Sequence, residues 1–239
     1  MRIGIFGRGR LGSALIEAAR QAPDLELAWA VGQGEAPPAP VEVALAASTP
    51  EALPAHLDWA LANDTDLVIG TTGWTIPNLE TRVQDRIGLL VAPNFSLAVA
   101  LMGRLARVLG RYADLDPDLD PYVLEHHHAR KADAPGGTAR ALAGAVLAGC
   151  PRKRGWTLGT AEPHQLSVAV LRAGAEPGRH TVGLDGPLET LTLTHTARSR
   201  QVFAAGALRA ARWIRGRKGC FTFDDLAADL LDPLFRTGV

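Results

Sequence analysis

Only two cysteines, Cys150 and Cys220, occur in 239 residues. Two isolated thiols so far apart build neither a disulfide framework nor a CxxC redox or zinc site, so a reducing cytoplasm is the expected location. Net charge is missing too: 25 basic side chains balance 25 acidic ones. That balance removes the electrostatic case for nucleic acid or an anionic membrane as the main partner. No apolar run reaches the ~20 residues of a membrane span. SLAVALMGRLARVLGRY, from Ser96 to Tyr112, is broken by arginines at helical spacing. The opening MRIGIFGRGRLG lacks the apolar core of a signal peptide and reads as folded structure. Internal repeats and low-complexity tracts are absent as well. What is present is 47% apolar and 21% charged residues, the make-up of a globular chain long enough to bury a core without staples.

Short apolar runs alternate with helical patterns through the first hundred residues. Strands are expected at Arg2–Phe6, Leu25–Val31, Val41–Ala46, Asp66–Ile69 and Leu89–Ala92, with helices at Leu11–Gln21, Pro50–Asn63 and Ile76–Gln84. GQGEAPPAP, from Gly32 to Pro40, is a loop by composition. This alternation is the mark of a parallel sheet covered on both faces. Beyond Asn94 the character changes. Leu97, Leu101, Leu105, Val108 and Tyr112 share a helical face, a strand follows at Tyr122–His126, and a helix opens near Thr138. From Leu166 to Ala197, period-2 alternation predicts antiparallel strands with one covered face. Helices return at Ala207–Arg215 and Asp224–Leu231. The expected fold is α/β: a Rossmann-like dinucleotide-binding domain (residues 1–95 and 206–239), and an α+β domain (96–205) with a mostly antiparallel or mixed sheet.

Gly7-Arg8-Gly9-Arg10-Leu11-Gly12 fits GxGxxG directly between the first strand and the first helix. One glycine permits the tight turn, one lets the backbone approach a pyrophosphate, and one lets helix and strand pack closely. The acidic residue that usually holds the adenosine ribose at the end of the second strand is missing. Val31 is followed by Gly32 and Gln33, and Glu35 lies only inside the loop. Arg8 and Arg10 offer positive charge to a 2′-phosphate, so NADPH is expected to be accepted, alongside NADH.

Residues 125–139 read EHHHARKADAPGGTA. Strand alternation sends Glu125 and His127 to one side and His126 and His128 to the other. Imidazoles exchange protons near neutrality, and Lys131 adds a positive charge or an acid. Pro135-Gly136-Gly137-Thr138 then opens a helix whose free N–H groups, with the Thr138 hydroxyl, suit a carboxylate. Proton carriers beside an anion seat suggest an acidic small molecule that is protonated as it reacts. Adjacent strand residues point apart and no further Cys or His lies at ligand spacing, so no metal is expected.

This run resembles the E-x-H-H-x-x-K-x-D-A-P-S-G-T-A signature of the 4-hydroxy-tetrahydrodipicolinate reductase (dihydrodipicolinate reductase) family. The segments Val68-Ile69-Gly70-Thr71-Thr72-Gly73 and Ala92-Pro93-Asn94-Phe95-Ser96 are similar to two further family motifs, in order and in register. Arg172-Ala173-Gly174, His180-Thr181 and His195 through Arg200 also fall where the family has similar residues. The resemblance spans nearly the whole chain. It implies NAD(P)H-dependent reduction in lysine and diaminopimelate biosynthesis, with His127 and Lys131 as the catalytic proton carriers. His128, Gly137 and Thr138 would contact the substrate carboxylates. Gly7, Arg8, Gly9, Arg10, Leu11 and Gly12 would cradle the cofactor pyrophosphate. Gly70, Thr71 and Thr72, with Ala92, Pro93, Asn94 and Phe95, would line its nicotinamide side. It also implies a homotetramer. The chain departs from the family pattern in a glycine loop one residue shorter, in Leu11 for methionine, in Gly32 for the acidic residue, and in Gly136 for the signature serine. The segment before Thr49-Pro50-Glu51 is also abbreviated and lacks an arginine often found there. The competing readings are another two-domain pyridine-nucleotide oxidoreductase, or a nucleotide sensor that kept the glycine loop.

Overall fold

The computed structural model describes residues 1–236. They fall into two compact units, Met1–Ser96 with the chain from Arg200 onward, and Leu97–Ser199.

The first unit begins with β1 (Arg2–Phe6), α1 (Arg10–Gln21), β2 (Glu26–Val31) and β3 (Val43–Ala46). A 3-10 turn at Pro50–Ala52 leads into α2 (Leu53–Ala62), then β4 (Asp66–Ile69), α3 (Leu79–Val83) and β5 (Gly88–Val91). β3 and β4 are buried at every position, as continuous apolar runs in a doubly covered sheet must be. α3 is shorter than the pattern at 76–84 predicts. Pro77 biases Ile76 away from helical geometry, and Asn78 at the N-cap is left-handed, with φ 53°.

The second unit contains α4 (Leu97–Leu115), β6 (Asp120–His127), α5 (Gly137–Gly149), β7 (Gly155–Leu158), β8 (Gln165–Arg172), β9 (Arg179–Asp185) and β10 (Thr190–Thr196). Its sheet runs β10-β9-β6-β8-β7. β10 with β9 and β9 with β6 are antiparallel, whereas β6 with β8 and β8 with β7 are parallel. The alternation from Leu166 onward thus reports a covered face but not strand direction: the chain crosses over through α5 and re-enters the sheet parallel to β6. Val123, Leu166, Val168 and Val182 pack with Met102 and Leu142 in one buried cluster, so these strands share the helix-facing side.

The chain returns to the first unit with α6 (Gln201–Ile214), β11 (Gly219–Thr222) and α7 (Phe223–Leu231), followed by a 3-10 turn at Asp232–Phe235. The first sheet is then complete, in the order β11-β5-β4-β3-β1-β2, with every pairing parallel. The order reverses at β1, which has β2 on one side and β3 on the other. Such a switch point opens a crevice at the carboxyl ends of the strands, where open α/β sheets bind ligands. The short strands β7 and β11 leave no mark in the sequence pattern. Each has four residues that alternate between half-buried and exposed, too few to show a period.

Candidate active site

In the first unit, the glycine loop leaves the carboxyl end of β1 at the switch point. Gly7 has φ 99°, and a Cβ on it would lie 2.3 Å from the Ala47 carbonyl oxygen. A Cβ on Gly12 would lie 2.0 Å from the Gly7 oxygen. Both positions therefore need glycine. Gly9, the N-cap of α1, has open space around it, and neither a side-chain cap nor an acidic residue occupies the first turn of the helix. The unpaired N–H groups of that turn suit an anion such as a pyrophosphate. Beside the loop lies a cleft of ≈ 720 Å³, bordered by Gly7, Arg8, Gly32, Glu35, Ser48 and His56. These observations fit a dinucleotide.

Glu35 is the residue that sequence reasoning passes over here. The turn at Gly34, φ 78°, brings it back so that its carboxylate accepts from the Gly32 N–H at 3.0 Å. The same carboxylate pairs with the Arg8 guanidinium at 2.8 Å, and Arg8 also donates to the Ala30 carbonyl. His56 stacks on Phe6, with centroids 3.9 Å apart, and its Nδ1 lies 3.2 Å from the Ser48 hydroxyl. Burial pushes His56 down to about 4, so its ring is neutral at pH 7.

Leu11, Gly70, Pro93, Asn94 and Phe95, five of the residues singled out from the sequence, line one smaller cavity of ≈ 230 Å³ with Arg200 and Phe203. Three others are not among its lining residues. The Thr71 hydroxyl donates to the Ser48 carbonyl at 3.0 Å, Thr72 is exposed, and Ala92 is buried.

In the second unit, sheet register gathers the histidine run. Glu125 of β6 stands opposite His180 of β9, His180 opposite His195 of β10, and His127 opposite Arg172 of β8. All lie on the helix-facing side, at the end of the sheet where α5 begins. Glu125 is fully buried. Its Oε2 accepts from the Gly136 N–H at 2.8 Å, just ahead of α5, and from Arg172 at 3.3 Å. Its Oε1 faces His127 Nε2 at 3.3 Å and His180 Nε2 at 3.9 Å. A Cβ on Gly136 would fall 2.5 Å from that oxygen and 3.1 Å from Lys131 Nζ. The serine of the family signature would therefore displace the carboxylate as it is placed in this chain.

Lys131 pairs with Asp133, whose carboxyl is held below the usual range by that hydrogen bond. Arg172 also donates to the Asp133 carbonyl. Burial lowers the His127 pKa; Glu125 and a hydrogen bond with the Pro177 backbone pull it up, while Lys131 and Arg172 push it down. His180 is driven to about 4, first by burial and then by His127. His128 holds a buried Nδ1 with no hydrogen-bond partner, its ring 6.4 Å from that of His127. His126 turns to the Ala173 carbonyl, 3.2 Å away. Gly137 is exposed at the start of α5 and Thr138 half-buried beside it. Glu125, His127 and His180 present donor atoms within 4.8 Å of one another. Arg172 and Lys131 already bring positive charge to that cluster, which favours holding protons and anions there over a dication.

The sequence places Glu125 and His127 on one side of the strand; that His180 and Arg172 join them needs the register of three strands. The chain as a whole is similar to known proteins. Residues 96–227 match the family model described as dihydrodipicolinate reductase, C-terminus, and residues 35–95 match that of its N-terminus. The 4-hydroxy-tetrahydrodipicolinate reductase of Christiangramia forsetii is 30% identical over 96% of this chain and 99% of its own. That of Akkermansia muciniphila is 36% identical over 91% and 94%. A dipicolinate-bound dihydrodipicolinate reductase from Paenisporosarcina sp. TG-14 shares the fold, with a TM-score of 0.74 over 93% of this chain and 97% of that one, at 24% identity. This chain therefore belongs to the dihydrodipicolinate reductase family, the NAD(P)H-dependent 4-hydroxy-tetrahydrodipicolinate reductases of lysine and diaminopimelate biosynthesis.

Proposed function

We propose that the first unit binds the dinucleotide and the second unit carries out proton transfer to a dianionic substrate, the dehydrated form of 4-hydroxy-tetrahydrodipicolinate. NAD(P)H supplies the hydride when bound. Gly7 to Gly12 seat the pyrophosphate, and Gly70, Thr71 and Thr72 with Ala92 to Phe95 border the nicotinamide. His128, Gly137 and Thr138 hold the substrate carboxylates at the start of α5. His127 and Lys131 carry the proton that accompanies the hydride. The observation that supports this most is the seat itself: Lys131 Nζ lies 3.1 Å from where a Gly136 Cβ would stand, so an ammonium and an uncapped helix start meet beside a histidine. An arriving dianion opposes the push of burial, Lys131 and Arg172 on His127, so the imidazole gains its proton as the substrate binds.

Both cofactors are used on this reading, because Glu35 offers an acceptor to ribose hydroxyls and Arg8 a partner to a 2′-phosphate. We also read the chain as a cytoplasmic homotetramer assembling through the outer sheet face, where Tyr122, Leu124, Ala169 and Leu171 share one side. Light scattering tests that assembly.

Loss of nicotinamide absorbance is the test of the reaction, with substrate made in place by dihydrodipicolinate synthase from pyruvate and aspartate semialdehyde. Oxidation is expected only when the synthase is present. His127→Gln and Lys131→Met should each lower kcat by ~10²–10⁴, the range for general acid–base groups. Wild-type turnover in both variants would remove them from the mechanism.

A further inference from the structure

We propose that Glu125 is a positioning residue for this reaction: its carboxylate holds the His127 ring in one orientation and fastens it to the first turn of α5. The inference rests on His127 being a proton carrier, as read above. Glu125 has no exposed surface, and a buried carboxylate is retained only where donors surround it. Oε2 has them, in the Gly136 N–H and Arg172. Oε1 has no hydrogen bond, yet His127 Nε2 lies 3.3 Å away. A proton on that nitrogen satisfies both groups. The turn at Gly178 packs against the ring, since a Cβ on Gly178 would lie 2.8 Å from His127 Cε1. An imidazolium with Nε2 towards that carboxylate and its edge against the turn has one orientation. The same carboxylate grips Gly136, so the proton carrier and the anion seat move as one piece.

Charged and titratable groups face His127 from every neighbouring strand: Glu125 on its own strand, Lys131 in the loop that follows, Arg172 on β8 and His180 on β9. Of these, Glu125 alone carries negative charge, and it is what keeps the imidazolium accessible against burial and two cations. His180 faces the same oxygen at 3.9 Å with neither ring nitrogen hydrogen-bonded.

Glu125→Gln keeps the shape and removes the charge. Its kcat/KM should fall roughly tenfold or more, and the alkaline loss of activity should begin at lower pH, with KM for NAD(P)H unchanged. A variant whose pH profile superposes on that of the wild type would overturn the proposal, whatever its turnover. Ring-nitrogen NMR supplies a readout that needs no activity: His127 should titrate lower in Glu125→Gln than in the wild type. Equal titration overturns the positioning role. Unequal titration in a protein whose wild type shows no turnover sinks the reductase reading and leaves the positioning role standing. Should the variant not fold, the wild-type spectrum decides. A slowly exchanging Nε2–H on protonated His127 is required, and a rapidly exchanging one overturns the role.

Discussion

At the scale of single residues, the proposed cofactor site holds one carboxylate that local pattern does not place there. The end of β2 lacks an acid in the sequence, and Gly32 indeed stands there. The fold brings Glu35 back to the same place through the left-handed turn at Gly34, against the Gly32 N–H and the Arg8 guanidinium. On the proposed cofactor site, a phosphate on the ribose would meet that carboxylate as well as Arg8, so Glu35 is expected to favour NADH where both cofactors are accepted. Replacing it with glutamine frees Arg8 for the phosphate. Glu35→Gln is expected to shift the ratio of kcat/KM values towards NADPH by about tenfold, the effect of exchanging one like-charge repulsion for one charge-assisted hydrogen bond. An unchanged ratio in cofactor kinetics would mean that neither residue reads the ribose. The proton site is legible from the sequence only in part, for a similar reason. Period 2 alone places Glu125 beside His127, because both lie on one strand. Arg172 and His180 arrive through pairings with β8 and β9, and no local window of sequence contains that register.

At the scale of elements, termini carry more information than interiors. α7 is legible because a capping box precedes it: the Thr222 hydroxyl accepts from the Asp225 N–H, and the Asp225 carboxylate accepts from the Thr222 N–H at 2.7 Å. β11, which ends at that same Thr222, is not legible at four residues. The cap therefore does two jobs, ending an edge strand of the first unit and starting its last α-helix. Thr222→Ala should cost about 1 kcal/mol, seen as a lower midpoint in denaturant unfolding with an unchanged slope. No shift in midpoint would show that solvent caps the helix equally well. Direction is the other element-level quantity hidden from the sequence. An alternating strand looks the same whether it pairs parallel or antiparallel, and the direction of β8 follows from its pairings with β6 and β7 rather than from its own residues.

At the scale of the whole molecule, zero formal charge hides two histidines that make folding depend on pH, one in each unit. His56 and His180 are both held near 4 by burial, against an ordinary value of 6.5. The unfolded chain then binds protons more readily than the folded one between those values, so their contribution is complete above pH 6.5 and is lost as pH falls towards about 4. For His180, which is buried, the loss is on the order of 2–3 kcal/mol; for the partly solvated His56 it is smaller. Because the two residues lie in separate units, substitutions separate their effects. Unfolding followed between pH 7 and pH 4 should show a steep loss in the wild type. His56→Phe, which keeps the stack on Phe6, should flatten the part that belongs to the first unit. His180→Gln should flatten the part that belongs to the second unit. If both variants keep the wild-type slope, acid destabilisation comes from other groups, either His127 and His195, which burial also lowers, or the carboxylates.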